Sequence, residues 1–167
     1  RSGKIIVTMT DTIINTGAVR TATLENYTVD GMEVEGTKTL TNLGPDVNGY
    51  PNFSRVVSNA KITLPDASFI SWNANQTITF KEGFYTKGMA DDVILIAGNG
   101  SGTNRKGNPF SYSIIEPLLK NKFCKWLVKG IIETTAGGKT ISIDFGDGSC
   151  DRLANLTLPN GTIKPIL

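Results

Sequence analysis

The chain has 167 residues, a formal net charge of +2 and no histidine, and its length is that of one domain. It contains 20 Thr, 17 Ile and 9 Val against 9 Ala, a composition that favours strands because branching at Cβ restricts side chains on a helix. The absence of histidine excludes Ser-His and Cys-His nucleophiles, His-ligated metal sites and imidazole acid–base steps. The 17 basic and 15 acidic side chains are dispersed, so the sequence predicts no nucleic-acid partner.

The start of the chain and its two cysteines predict an exported protein. No apolar run approaches the 18 or so residues of a membrane-spanning helix, so we expect no transmembrane segment. A predicted strand at Ile5 follows Arg1 almost at once, and we expect that an export signal or an upstream segment precedes it. Cys124 and Cys150 lie near predicted strand ends and favour one disulfide, as in an exported protein. Two free, buried thiols are the alternative.

Turn signals recur at short intervals and divide the chain into about eleven predicted strands. Asp30-Gly31 and Pro65-Asp66 predict two long hairpins. We therefore expect a single all-β domain over 1–167, an antiparallel meander that curls into an open barrel or splits into a two-layer sandwich. The predicted strands flanking these two turns are 22–29, 32–43, 56–64 and 68–80.

Alternating apolar and polar residues over 70–80 predict a strand with one buried face. On this pattern Trp72 is a core residue, and Trp126 also lies on an apolar face. The only predicted helix is 116–122, with Pro117 in its first turn. A bent loop is the alternative there.

Residues 144–151 read Asp-Phe-Gly-Asp-Gly-Ser-Cys-Asp after a strand, a Gly turn and a second strand. With the flanking segments, this resembles a family of exported β-rich proteins and lipoproteins of Bacteroidetes bacteria. The resemblance implies an extracellular or outer-membrane surface location and a β-rich architecture, and it carries no catalytic residues. Residues 144–148 are also similar to the aromatic-Gly-Asp-Gly signature of polycystic-kidney-disease-type β-sandwich modules, which often accompany polysaccharide-degrading enzymes. The chain lacks the His-x-Tyr step of those modules.

Acidic residues are the only side chains that could support hydrolysis or a metal site. Asp144, Asp147 and Asp151 fall within eight residues; we interpret them as turn carboxylates, with an ion site as the alternative because Ca²⁺ takes six to eight oxygen ligands. A glycosidase would need two carboxylates facing each other across a cleft, and Glu33 and Glu35 share one strand side. We predict no catalytic residue and no cofactor. The remaining candidates for such a pair are Glu25, Glu82, Asp91, Glu116 and Asp144.

Exposed aromatic side chains are candidate ligand contacts. Tyr50 and Tyr85 lie in loops that contain Gly or Pro, where a ring can stack on a sugar. Asp11-Thr12-Ile13 is similar to the short O-glycosylation signal of exported Bacteroidetes proteins, with Thr12 as the acceptor. We predict a non-enzymatic surface protein with a binding or structural role, its partner a surface glycan or a protein. The alternatives are a carbohydrate-binding accessory module or carbohydrate-active enzyme, and a polymerising filament subunit joined through an edge strand.

Overall fold

The structure, a computed structural model, describes residues 1–88 and 90–166. These residues form eleven strands and no helix, and each strand pairs antiparallel with its neighbours in chain order. The strands are β1 (Ser2–Met9), β2 (Val19–Val29), β3 (Met32–Pro45), β4 (Pro51–Thr63), β5 (Phe69–Glu82), β6 (Val93–Thr103), β7 (Pro109–Asn121), β8 (Lys129–Ala136), β9 (Lys139–Asp147), β10 (Ala154–Thr157) and β11 (Ile163–Ile166).

This architecture confirms the predicted all-β meander of about eleven strands. All strands belong to one sheet, with β1 and β11 as its two edges, so the sheet is not closed into a barrel. Both long hairpins form at the predicted turns. Within the described ranges there is no helix long and apolar enough to cross a membrane.

One end of the sheet, here called the turn end, carries short connections. Two of them, 30–31 and 137–138, have two residues. Two of the longer ones, 64–68 and 104–108, share one hydrogen-bond pattern in which the fourth residue donates back to the first. That fourth residue has a positive φ: Gly107 at 80° and, unusually, Ala67 at 65°. Since L-residues avoid this region, Ala67 is strained where glycine would not be.

An ion pair joins these two turns. Arg105 Nη2 lies 2.5 Å from Asp66 Oδ2, and Ser68 Oγ donates to Asp66 Oδ1 over 2.5 Å. The Ser68 hydroxyl and then the Arg105 guanidinium lower the pKa of Asp66 to about 2.

The opposite end, here called the loop end, carries the longer connections between β1 and β2, β5 and β6, and β7 and β8. Phe53 is the largest fully buried side chain, and its ring centroid lies 5.7 Å from that of Phe80 and 5.4 Å from that of Phe84. The core therefore sits where the loops cover one sheet face. The buried residues near this end are Ala18, Asn42, Phe53, Ile78, Asp92, Leu118, Cys124 and Val128.

The rest of the sheet is open. The accessible surface is 10247 Å², whereas a compact monomer of this mass exposes about 8,000 Å². Outside the loop end, Ala60 and Ala74 alone are buried among the residues that the structure describes. Much of the sheet surface is thus available for contact with other molecules.

β-bulges shift the register within the sheet. β2 and β3 pair Val29 with Met32 at the turn but Thr23 with Thr37 beyond the bulge, a shift of one residue. The bulge contains Asn26 with φ 48°, and opposite it Gly36 has φ 126°. A Cβ on Gly36 would lie 2.7 Å from Ala60 Cα, so only glycine fits there.

Three local predictions differ from the structure. Residues 116–122 are neither a helix nor a bent loop, because 116–121 continue β7 through two register shifts against β8. Pro117 is tolerated there because it lies within the irregular part of that pairing. Trp126 is 42% exposed instead of packed inside, and Trp72 is half-buried, not enclosed.

Candidate ligand-binding cleft

A half-enclosed cleft of about 390 Å³ opens at the loop end, between the sheet face and the loops that cover the core. Its volume is within the range of small-molecule sites, which are about 300–1,000 Å³. Apolar and basic side chains line it together. The lining consists of Ile13, Arg20, Lys38, Leu40, Phe53, Arg55, Ile78, Phe80, Gly83, Phe84, Thr86, Lys87, Gly88, Asp92, Ile94 and Lys122.

Two loops that wall the cleft are fixed by hydrogen bonds. Buried Asn42 donates to the carbonyl of Ile13 over 2.9 Å and accepts from the Gly44 N–H over 2.7 Å. In the β5–β6 loop, the Thr86 hydroxyl lies within hydrogen-bond distance of two acceptors, Gly83 O at 2.8 Å and Asp91 Oδ1 at 3.0 Å. The cleft walls are therefore preorganised.

Three basic side chains lie on the same sheet face at the cleft. Arg20 on β2 and Arg55 on β4 both pair with Leu40 on β3, and directly paired residues point to one side of a sheet. Lys38 lies two residues from Leu40, so it shares that side. We call Arg20, Lys38 and Arg55 the basic triad.

Neutral partners orient Arg55. Its Nε donates to Gln76 Oε1 over 2.8 Å, and Gln76 Nε2 donates to Tyr112 Oη over 3.2 Å. Burial lowers the pKa of Arg55. Burial, followed by the charges of Arg55 and Arg20, lowers the pKa of Lys38. Burial is thus the main cause of both shifts, and the neighbouring cations add to the shift of Lys38 alone.

The cleft is more positive than the whole chain. Its lining holds five basic residues and one acidic residue, Asp92, a formal charge of +4, whereas the chain carries +2. The ion pairs of the described residues lie elsewhere: Lys4 with Glu25, Lys61 with Glu35, and Arg105 with Asp66. The dispersed charges of the sequence thus converge in the fold.

The two predicted tyrosine contacts lie beside the cleft, not in its lining. Tyr85 is 82% exposed and its ring stacks edge-on against Phe84, with centroids 4.8 Å apart. Lys81 Nζ lies 3.3 Å from the centroid of the Tyr50 ring, so a cation already occupies one face of that ring. Ligand contact by either tyrosine stays a prediction.

The carboxylates of the Gly-Asp-Gly region bind their own backbone. Asp144, Asp147 and Asp151 each accept the N–H of the residue two positions later, at 2.9 Å in all three cases. The Ser149 N–H bond lowers the pKa of Asp147. These are Asx turns, as the turn interpretation predicts. No group of three or more metal-ligating side chains occurs in the described part of the chain.

The acidic candidates for hydrolysis lie outside the cleft. Glu33 and Glu35 are exposed on β3, and Glu35 pairs with Lys61 over 3.2 Å. Glu25, at an edge hairpin, pairs with Lys4, and Asp91 accepts the Thr86 hydroxyl. Glu82 and Glu116 are also exposed strand residues. None of these seven candidates, Asp144 included, lines the cleft.

The predicted disulfide is confirmed. Cys124 and Cys150 are bonded with Cα atoms 5.7 Å apart, within the usual range. Cys124 precedes β8 and Cys150 follows β9, so the bond closes the open end of that hairpin. Thr12 is exposed in the loop between β1 and β2, where an acceptor hydroxyl would be accessible; its glycosylation stays a prediction.

No family model matches the chain. No curated protein and no solved structure matches it either. The similarity to exported Bacteroidetes proteins therefore stays a prediction. The geometry of the cleft is the observation that bears on function.

Proposed function

We propose that the chain is a non-enzymatic, exported binding protein that holds a surface glycan in the loop-end cleft. The observation that carries this proposal is the cleft itself, whose lining contains Phe80 and Phe84 together with basic side chains and residues of two hydrogen-bonded loops. Aromatic faces stack on sugar rings, and basic groups bind polar substituents.

The distribution of acidic residues supports binding over hydrolysis. Glycosidases use two carboxylates placed about 5–10 Å apart around the bond that breaks. Asp92 is the one acidic residue among the described lining residues, and it is buried. A single carboxylate cannot act as both acid and base in that mechanism.

The disulfide supports the exported location. Such bonds persist in oxidising compartments and are rare where thiols are kept reduced. The bond closes a hairpin in a sheet with few buried residues, where added stability matters most. A surface or secreted location, including attachment as a lipoprotein, belongs to this proposal.

A glycan array tests the proposal. We expect the wild-type protein to bind particular glycans and to release no product from them. Phe84→Ala should abolish that binding, whereas Phe123→Ala, the same change at a side chain that is 76% exposed outside the cleft, should not. Product release, or equal binding by both variants, would contradict the proposal. Tyr50→Ala and Tyr85→Ala test the two tyrosines in the same assay.

The edges of the sheet favour a second candidate function, a subunit that assembles with copies of itself. All eight residues of β1 are exposed. Ile5, Ile6 and Val7 are 55%, 42% and 53% exposed, and successive side chains point to opposite faces. An unpaired apolar edge is a template for strand addition. The other edge, β11, is short and contains Pro165, which blocks such pairing.

Light scattering over a range of concentrations tests this second function. Assembly through β1 predicts a mass above 17.9 kDa that falls to the monomer mass in Ile6→Lys. Ile163→Lys, on the blocked edge, should leave the larger mass unchanged. A monomer at all concentrations would contradict self-assembly.

A further inference from the structure

We infer that the ligand of the cleft is an acidic saccharide, whose carboxylate or sulfate group is held by Arg20, Lys38 and Arg55. The inference rests on the proposed function, because it specifies the glycan class for the same cleft. It adds to the proposed function by assigning recognition of the acidic group to the three residues of the basic triad.

The three triad residues lie close together on one face of the sheet. Leu40 separates Arg20 from Arg55 in one cross-strand row, so the two backbones lie about 10 Å apart, at twice the strand spacing. Lys38 is on the same face about 7 Å along β3. Long side chains at these three positions can converge on one group of anionic oxygens above Leu40.

The triad concentrates positive charge on one face of the sheet. Like charges at this spacing repel each other, and solvent screens only part of this repulsion, because Arg20 and Lys38 are exposed whereas Arg55 is half-buried. The row continues from Arg55 to Gln76 and through it to Tyr112, both neutral. None of the ion pairs found among the described residues includes a triad member. A bound anion would supply the missing counter-charge.

The side chain of Arg55 is oriented by its hydrogen bond to Gln76. Its bond to Gln76 uses Nε, so the terminal Nη pair lies outside that bond. Guanidinium groups bind carboxylates and sulfate-like oxygens through such pairs of parallel N–H groups. Gln76 thus acts as a positioning residue that fixes the plane of the guanidinium.

Apolar side chains share the cleft with the triad. Ile78, Phe80 and Phe84 line the same cleft, so a ligand there contacts apolar atoms and cations together. A free inorganic anion would leave this surface uncovered. A sugar ring that carries an acidic group would cover the apolar surface and pair with the cations.

Calorimetry with defined probes tests the inference: a galacturonic acid trisaccharide, a sulfated galactose disaccharide, their neutral galactose counterparts, and sodium sulfate. We expect an acidic saccharide to bind at least tenfold more tightly than its neutral counterpart, since each charge-assisted hydrogen bond contributes about ten- to hundredfold. Raising the salt from 0.1 M to 1 M, which shortens the Debye length from about 10 to about 3 Å, should weaken that binding.

Variants locate the effect. Arg55→Gln and Lys38→Gln should each remove most of the preference for the acidic probe. Arg152→Gln, which removes one charge from an exposed residue outside the cleft, should keep it. Circular dichroism verifies the fold, and Arg55→Lys retains the charge in case Arg55→Gln unfolds.

The outcomes separate the two proposals. Equal affinity for acidic and neutral saccharides would overturn the acidic class and leave glycan binding intact. Sulfate binding as tightly as the saccharides would overturn the sugar assignment. No binding of any saccharide would overturn both. A preference that persists in both triad variants would place recognition elsewhere and overturn the assignment to these residues.

Discussion

Replacing Phe53 by Ala should remove the centre of the core. The side chain is fully buried and contacts the rings of Phe80 and Phe84. Large-to-small changes of a buried Phe cost about 3–5 kcal/mol, and two aromatic pairs, each worth about 0.5–1.5 kcal/mol, are lost as part of that cost. We expect the upper half of that range, a large fraction of a domain stability of about 5–15 kcal/mol.

Urea denaturation followed by circular dichroism and tryptophan fluorescence measures this loss. Phe123→Ala is the matched control, because the same atoms are removed from a side chain that is 76% exposed, and it should change the free energy of unfolding by less than about 0.5 kcal/mol. Equal losses in the two variants would refute the location of the core at the loop end.

Three further predictions concern the connections. Cys150→Ser should lower the free energy of unfolding by about 2–4 kcal/mol under oxidising conditions, and an unchanged denaturation midpoint would contradict this. Ala67→Gly should stabilise and Gly107→Ala should destabilise the fold, each by about 1 kcal/mol, because an L-residue with positive φ is strained. Denaturation measures both variants, and changes of the same sign in their free energies of unfolding would refute this prediction. Since the folded pKa of Asp66 is about 2 against an ordinary 3.8, its stabilising effect is complete above the unfolded pKa and is lost as the pH falls towards 2. Asp66→Asn should therefore make the melting temperature less dependent on pH between about 5 and 2. An equal pH dependence of the melting temperature in the variant and the wild type would show that the ion pair with Arg105 does not stabilise the fold.

Strands and turns could be predicted because their signals are local. Asp30-Gly31 specifies a two-residue hairpin through residues that tolerate positive φ, and both have it, at 50° and 78°. The disulfide also follows from local signals, since both cysteines flank one predicted hairpin. In contrast, 116–122 has a helix-like start but lies between two strands, and pairing with β6 and β8 overrides the local preference.

The basic triad could not be predicted, because it depends on a bulge. Continued from the turn, the register of β2 and β3 would pair Arg20 with Thr41, which would put Arg20 and Lys38 on opposite faces. The bulge at Asn26 shifts the pairing to Leu40, and a shift of one residue reverses the face. Neither the composition nor the alternation pattern contains that shift, so the charges looked dispersed.

An NMR titration with the galacturonic acid trisaccharide tests binding at the cleft most directly. The backbone amides should be followed in ¹⁵N-labelled protein as the saccharide is added. We predict that the largest shift changes occur around Arg20, Lys38 and Arg55 and in the loop that contains Phe84. Changes concentrated along β1 or in 145–153, with the triad amides unmoved, would contradict the account.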